Sequence, residues 1–207
     1  TRKAGEAVCL PTIGRLARQG RLTLATYDEL QFEEMNGLRP VRDSVADALH
    51  SVPWLRLEPA IDRSYFVPTA FPPGYKTSML DGFCRTLLSS EFDPRHLPAA
   101  IRDRLPEGTL RRFAELDEFR ALCRDADGRH LPDLFHLWTG EVNDCDFFLT
   151  MDRRFINFCA SHVRRPLKCR PIGPSSLLSE LGIDHADPLF AEPDEVLDGI
   201  GRRHLRE

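Results

Sequence analysis

Apolar residues recur along this chain with two periods, one close to a helical turn and one close to the alternation of a strand. The helical period predicts helices at Ile13–Arg18, Tyr27–Asn36, Val41–His50, Pro132–Val142, Arg153–His162 and Ser175–Leu181. Alternating or continuously apolar segments predict strands at Arg21–Thr26, Trp54–Glu58, Asp146–Met151 and Leu167–Ile172. Because strands alternate with helices, we expect an α/β fold of three layers, α/β/α, in which helices cover both faces of a central parallel sheet.

The middle of the chain interrupts this alternation. Between residues 59 and 75 a regular helix or central strand is excluded by four prolines, Pro59, Pro68, Pro72 and Pro73. Helices are predicted at about 76–90, 97–105 and 109–125, and Pro193–Arg206 as a last amphipathic helix. We therefore predict one domain over residues 1–182 with a helical insert at about 60–125, followed by a C-terminal tail helix within residues 183–207.

Composition is typical of a globular protein rather than of a membrane or disulfide-rich one. The chain has 207 residues, 42% hydrophobic and 29% charged, which suffices for one well-buried domain. No apolar run is long enough to span a membrane and no leader segment opens the sequence, so we expect a cytoplasmic protein. The six cysteines show neither a CxxC pair nor zinc-ligand spacing, which favours buried thiols over a disulfide framework.

Two aspartates stand at the most regular part of the chain. Asp133 lies in the first turn of a predicted helix, and Asp152 directly follows an apolar strand. A helix antiparallel to the next strand begins near that strand's end, which is where ligands bind in open α/β sheets. Two carboxylates brought together repel unless a cation lies between them, and oxygen ligands suit Mg²⁺ or Mn²⁺. Each aspartate alone has a structural alternative, since Asp133 favours the positive end of its helix and Asp152 can cap the next helix.

Charge is unevenly distributed, although the net charge of −4 gives no overall attraction to nucleic acid. After Asp152 comes a run of cationic residues without a carboxylate: Arg153, Arg154, Arg164, Arg165, Lys168 and Arg170. Such a run is usually a solvated surface, but beside an acidic metal site it would hold a phosphate backbone. Arg153 and Arg154 are the first candidates for nucleic-acid binding because they adjoin Asp152, ahead of Arg164, Arg165 and Lys168.

The segment Asp133-Leu-Phe-His-Leu-Trp-Thr-Gly-Glu141, followed by Cys145-Asp-Phe-Phe-Leu-Thr-Met-Asp-Arg-Arg-Phe155, resembles the carboxy-terminal half of PIN domains. In that family an Asp opens a helix, and a strand ending in Thr-x-Asp-x-x-Phe follows at a spacing close to the 19 residues that separate the two aspartates here. The next strand, Leu167–Ile172, and the helix ending at Gly182 are similar to the way these domains close.

The resemblance implies a site of clustered acids that binds Mg²⁺ or Mn²⁺, with Asp133 and Asp152 as its third and fourth members. The second acid is expected on an earlier helix, a few residues past a Ser or Thr. Glu33 and Glu34 are alternatives there, because a one-residue error in helix phase exchanges them. The hydroxyl of Thr150 would orient Asp152 or a metal-bound water, or only hydrogen-bond the turn. His136, one turn after Asp133, is more typical of a packed, hydrogen-bonded residue than of a ligand.

The amino-terminal part departs from the family pattern. PIN domains open with a central strand that ends in an Asp, whereas the first 25 residues here contain no aspartate. A sheet without its central strand leaves the backbone groups of two neighbouring strands unpaired. We therefore expect native residues upstream of Thr1, and the alternative is a degenerate member that has lost one acid.

The implied activity is that of an endoribonuclease that hydrolyses phosphodiester bonds, as in the toxins of toxin–antitoxin pairs. Its partners would be RNA, an antitoxin-like protein and a second copy of the chain, and no membrane. The aromatic residues Tyr65, Phe66, Phe71 and Tyr75 would stack on unpaired bases or pack their loop. The alternative function is a PIN-fold scaffold that binds RNA or protein without cleaving. Another nucleotide-binding α/β domain is disfavoured, because no GxGxxG or GxxxxGK[ST] loop is present.

Overall fold

The computed structural model describes residues 2–30, 49, 51–66, 76–90 and 92–184. These residues form two compact units. The first unit combines the described residues up to Leu24, those between 41 and 53, and those from Pro174 onward. The second unit contains the described residues of 25–40 and 54–173, so that Asp133 and Asp152 belong to the same unit. The predicted boundary between residues 182 and 183 stays a prediction.

The described chain contains both helices and short strands, and is therefore a mixed helix and strand protein. The helices are α1 (Arg2–Ala7), α2 (Leu10–Arg18), α3 (Lys76–Leu88), α4 (Ala99–Arg102), α5 (Glu107–Ala114), α6 (Leu116–Leu122), α7 (Leu131–Val142), α8 (Arg153–His162) and α9 (Pro174–Glu180). The strands are β1 (Leu24–Thr26), β2 (Trp54–Arg56), β3 (Phe147–Leu149) and β4 (Arg170–Ile172). Single 3₁₀ turns lie at Arg63–Tyr65, Pro94–His96 and Gly128–His130.

The described strands pair into two short sheets, β1 with β2 and β3 with β4. β3 and β4 are parallel, and the chain between them passes through α8, the helical crossover that parallel pairing requires. Their register pairs Phe147 with Arg170, Phe148 with Pro171 and Leu149 with Ile172. The Thr150 amide also donates to the Ile172 carbonyl at 2.9 Å. The parallel pairing is thus confirmed, but the described strands form two sheets of two strands rather than one central sheet.

Helix α7 is the most buried element of the second unit. Every residue from Leu134 to Glu141 is buried, which is typical of a helix covered on all sides. Its Trp138 stacks on Phe119 of α6, with ring centroids 4.9 Å apart. Pro132 fits the first turn, since its missing N–H would have no partner within the helix. The firm packing of α7 fixes the backbone position of its first turn.

The predicted insert is helical and contributes to this core. Helix α3 supplies Phe83 and Leu87 to the cluster that contains Phe135 of α7. The single helix predicted at 109–125 is wrong, because the chain forms α5 and α6 with a break at Glu115. Four of the buried positions there are Phe113, Leu116, Phe119 and Leu122. They recur every three residues, a spacing that a continuous helix of 3.6 residues per turn would rotate out of the core.

The first unit is built around α2, whose buried face includes Ile13 and Leu16. Gly20 follows α2 with φ +71°, a conformation that glycine adopts at little cost and that commonly ends a helix. In the same unit, the amide and the hydroxyl of Ser175 donate to the carboxylate of Glu6 at 2.9 and 3.0 Å. These two bonds connect the start of α9 to α1.

Several predicted elements lie largely outside the described residues. The helix predicted at Tyr27–Asn36 is described only to residue 30, with residues 28–30 helical. Of the helix predicted at Val41–His50 only Leu49 is described, and of Pro193–Arg206 nothing. Among the described helices, none combines the length and the apolar character needed to cross a membrane.

Candidate functional site

Asp133 lies in the first turn of α7 and is half-buried. The charge of its carboxylate affects the ionisation of a cysteine on α8. Burial first, and then the negative charge of Asp133, raise the pKa of the Cys159 thiol to about 12. Since Cys159 belongs to α8, the first turn of α7 lies beside the helix that follows Asp152.

Asp152 links β3 to α8 as the N-cap of that helix. Its Oδ1 accepts hydrogen bonds from the amides of Arg154 at 2.8 Å and Phe155 at 3.2 Å. The Thr150 hydroxyl accepts a hydrogen bond from the Asp152 amide at 3.1 Å, so Thr150 shapes the turn rather than contacting the carboxylate. The capping alternative is therefore realised. Among the described residues none donates to Oδ2 of Asp152, and this oxygen remains available to a ligand on an exposed residue.

Aromatic contacts hold the beginnings of α7 and α8 side by side. His130, immediately before α7, stacks on Phe158 of α8 with ring centroids 4.6 Å apart. The same imidazole lies 6.1 Å from the ring of Phe155, which is within one turn of the cap. The entrance of α7 therefore lies beside the first two turns of α8, whose own entrance carries Asp152. We call the residues at these entrances, Asp133, Thr150 and Asp152, the rim.

The rim carries the donor atoms that a hard divalent cation prefers. Mg²⁺ commonly takes one or two protein carboxylates and completes its shell with water and substrate phosphates. The carboxylates of Asp133 and Asp152 fit that requirement by type and number. In the part of the chain that the structure describes, no group of three or more His, Cys, Asp or Glu residues forms a metal-binding cluster. A site of three or four acids is thus not assembled from those residues alone.

The predicted second acid, Glu33 or Glu34, lies outside the described residues. Glu29, on the described start of the same helix, follows Thr26 by three residues and so fits the same family pattern. Its Oε1 accepts a hydrogen bond from Nε of Arg63 at 2.6 Å, and both side chains are largely buried, at 15% and 6% exposure. Glu29 is therefore a largely buried acid that the sequence analysis did not single out, and its carboxylate is paired with an arginine.

Cys84 connects α3 to the start of α7 and lies within the electrostatic influence of Glu29. Burial first, and then nearby negative charge that includes Glu29, raise the pKa of the Cys84 thiol. That thiol donates to the carbonyl of Leu131 at 3.7 Å, and Leu131 is the first residue of α7. In the sequence, Glu29 follows Thr26 by three residues. It was not considered, because Glu33 and Glu34 come later on the same predicted helix.

His136 is a core residue, in agreement with its predicted character. It is 3% exposed, and its Nδ1 lies 2.5 Å from the phenolic oxygen of Tyr27. Tyr27 is 2% exposed. A buried hydrogen bond of this kind satisfies two polar groups that would otherwise lose their contact with water. It also joins the helix that carries Glu29 to the first half of α7.

The predicted phosphate contacts differ in their surroundings. Arg153 and Arg154 are exposed at the first turn of α8, and neither forms an ion pair with a described carboxylate. Arg164 lies 3.7 Å from Asp125. The guanidinium of Arg165 is only 22% exposed and pairs with the buried Glu141, so its position is structural. Lys168 Nζ lies 3.3 Å from Glu118, at an exposed pair.

The cysteines offer no activated nucleophile. All six are free, and Cys145 alone among them is more than slightly exposed. Burial is the largest cause of the raised pKa at Cys123 and Cys169, each to about 12. A thiol with a raised pKa stays protonated near neutral pH and reacts slowly. The chemistry of the second unit therefore points to its exposed carboxylates.

Comparisons of this chain with protein-family models, with curated proteins and with solved structures gave no significant match. The resemblance to PIN domains therefore stays a prediction that rests on the sequence motifs around Asp133 and Asp152.

Proposed function

We propose that this chain is a PIN-like endoribonuclease, dependent on Mg²⁺ or Mn²⁺, with a three-layer α/β/α fold. The observation that carries the proposal is the packing of the α7 entrance against α8, which brings Asp133 beside the helix capped by Asp152. Asp152 also lies at the carboxyl end of a parallel strand, where ligands bind in open α/β folds. Two carboxylates on rigid elements at such an edge favour a metal-assisted hydrolase over a thiol or serine nucleophile.

Within the proposal each rim residue has a separate role. Asp133 and Asp152 hold the cation, which when bound neutralises charge on the phosphoryl group and activates water. The two amides on Oδ1 of Asp152 fix the direction of Oδ2, and Thr150 fixes the turn that carries it. Arg153 and Arg154 hold the phosphates on either side of the scissile bond, where charge-assisted hydrogen bonds are strong.

A scaffold that binds RNA without cleaving it is the second candidate, and two observations favour it. No cluster of three potential ligands exists among the described residues. In addition, the Glu29 carboxylate is occupied by Arg63. On this alternative the rim aspartates serve only as helix-end residues, and the cationic residues of α8 still contact phosphate.

Cleavage of labelled single-stranded RNA and DNA should be followed with Mg²⁺, with Mn²⁺ and with chelator. We expect RNA to be cut only with metal, and Asp152→Asn to lower the rate on the order of a hundredfold, because the charge that holds the cation is lost. Asn is as good an N-cap as Asp, so this variant should keep the turn folded. Asp133→Asn should lower the rate by a similar factor.

A matched control comes from Asp117, which also lies in the first turn of a helix, α6, and is 90% exposed. Asp117→Asn removes the same interaction with a helix dipole but should leave cleavage unchanged. Cleavage that survives chelation or Asp152→Asn would exclude the rim as the active site. Absence of cleavage in every condition, with RNA still bound, would establish the scaffold.

A further inference from the structure

Three rings form a column along the exposed side of α8. Phe158 lies between His130 and His162, with ring centroids 4.6 and 5.0 Å away and interplanar angles of 22° and 13°. His130 and Phe158 come from different elements, whereas His162 is the last residue of α8. The column therefore begins at the entrance of α7 and ends at an exposed imidazole.

A contact with Ser161 holds the imidazole of His162 in its stacked position against Phe158. The Ser161 hydroxyl lies 2.7 Å from the Asn157 carbonyl, to which it donates, and 2.8 Å from Nδ1 of His162. With its proton directed at the carbonyl, the hydroxyl accepts from Nδ1–H of the ring. This arrangement orients the outer face of His162 before any ligand arrives, which lowers the entropic cost of stacking.

A surface pocket of about 340 Å³ lies along the column. Its charged lining residues are Asp125, Asp127, Arg129 and Arg154. Asp127 pairs with Arg129 at 2.8 Å, and Asp125 lies 3.7 Å from Arg164. These pairs neutralise both carboxylates and leave Arg154 as a cation without an ion pair among the described residues. The pocket thus combines an ordered stack of rings with one available guanidinium, and its volume is within the range of small-ligand sites.

We infer that this surface binds an unpaired nucleotide of single-stranded RNA, with the base stacked on the outer face of His162 and a neighbouring phosphate at Arg154. Aromatic and imidazole faces take bases only where these are not paired in a duplex, and guanidinium groups bind phosphate oxygens. Arg154 is two residues from Asp152, so the bound strand would continue toward the rim. The inference rests on the proposed function and deepens it by assigning a base-stacking subsite to the ring column.

Binding can be measured separately from cleavage by the fluorescence anisotropy of a labelled oligouridylate in the presence of chelator. We expect His162→Ala to weaken binding about five- to tenfold, the loss of one base stack. His162→Phe keeps a ring at the same place and should restore binding. Arg154→Ala should weaken binding and reduce its salt dependence by about one phosphate contact. His96→Ala removes a similarly exposed histidine from outside the pocket and should change nothing.

The two imidazole rings of the column also shield Phe158 from solvent. A purely structural role of His162 would therefore give a different result. It would lower the melting temperature in His162→Ala without changing the affinity of the folded protein. Equal affinity of the native protein and His162→Ala, equal losses in the Ala and Phe variants, or tighter binding of duplex than of single-stranded RNA would each overturn the inference. Ring-dependent binding without any metal-dependent cleavage would instead refute the ribonuclease and leave the binding surface standing.

Discussion

The two ends of α7 carry one carboxylate each, and the two carboxylates differ in burial. Asp133, at the start, is half-buried beside the entrance of α8. Glu141, near the end, is 2% exposed. Its Oε1 accepts from Nη1 of Arg165 at 3.0 Å and from the Lys168 amide at 2.9 Å, and its Oε2 pairs with Nη2 of Arg165. We call Gly140, Glu141, Arg165 and Cys169 the buried end.

The comparison separates acids that hold the fold from acids that are suited to ligands. At the buried end both carboxylate oxygens are used, as a buried charge requires. That ion pair attaches the loop before β4 to α7, and so supports the strand that pairs with β3. The carboxylate of Asp152, by contrast, accepts hydrogen bonds from described residues at Oδ1 and not at Oδ2. A carboxylate with one exposed oxygen can bind a cation without breaking the structure around it.

The largest effect on stability is expected at the buried end. Glu141→Gln leaves the guanidinium of Arg165 without its counter-charge, and we expect a loss of about 3 kcal/mol in the free energy of unfolding. Urea denaturation measures it. Glu115→Gln is the control, because Glu115 pairs with Arg112 at the surface, where 37% and 31% of the side chains are exposed. It should cost less than about 1 kcal/mol.

Two outcomes would break the distinction. Equal losses for Glu141→Gln and Glu115→Gln would show that the buried pair is worth no more than a surface pair. A loss of metal-dependent cleavage in Glu141→Gln, measured where the variant is still folded, would place this acid in the site. We expect cleavage per folded molecule to be unchanged.

Sequence patterns predicted a helix accurately where the capping residue and the spacing of the buried apolar residues indicate the same bounds. Helix α8 was predicted at Arg153–His162 and has those bounds. Asp152 supplies the cap, and the apolar spacing of Phe155, Phe158 and Cys159 supplies one buried face. The prediction failed at 109–125, where local helix propensity suits one long helix as well as two short helices. Nothing in local propensity decides between these, because the packing of α6 on α7 does.

The site could be predicted only as far as single residues carry their own signal. The motif around Thr150 and Asp152 located the rim, because an apolar strand followed by Asp is a local pattern. The roles of Glu29 and Arg165 depend on partners that are far away in sequence, Arg63 and Glu141. A basic run and an acidic helix look the same in sequence whether their charges face solvent or each other.

The buried end also depends on a close approach that glycine permits. A Cβ at Gly140 would lie 2.9 Å from Sγ of Cys169, so Gly140→Ala should cost about 1–2 kcal/mol in the free energy of unfolding. Cys169→Ala in the same chain should recover most of that loss, which a double-mutant cycle measures. Gly82→Ala is the opposite control. It lies in α3 with nothing within 4 Å of its would-be Cβ, and should stabilise by about 0.5–1 kcal/mol. If Cys169→Ala gave no recovery, the contact between α7 and β4 would not be the cause.

The smallest effect sharpens the comparison at the rim, where the cap and the charge of Asp152 can be separated. Asp152→Ala removes the acceptor for the amides of Arg154 and Phe155 and should cost about 1 kcal/mol in the free energy of unfolding. Asp152→Asn keeps an acceptor and loses only the interaction with the helix dipole, about 0.5 kcal/mol. Both variants should lower the rate of metal-dependent cleavage by a similar factor, on the order of a hundredfold, although their stability losses differ. Equal stability losses in the two variants would mean that the charge itself holds the turn, and Asp152 would then be an acid of the same kind as Glu141.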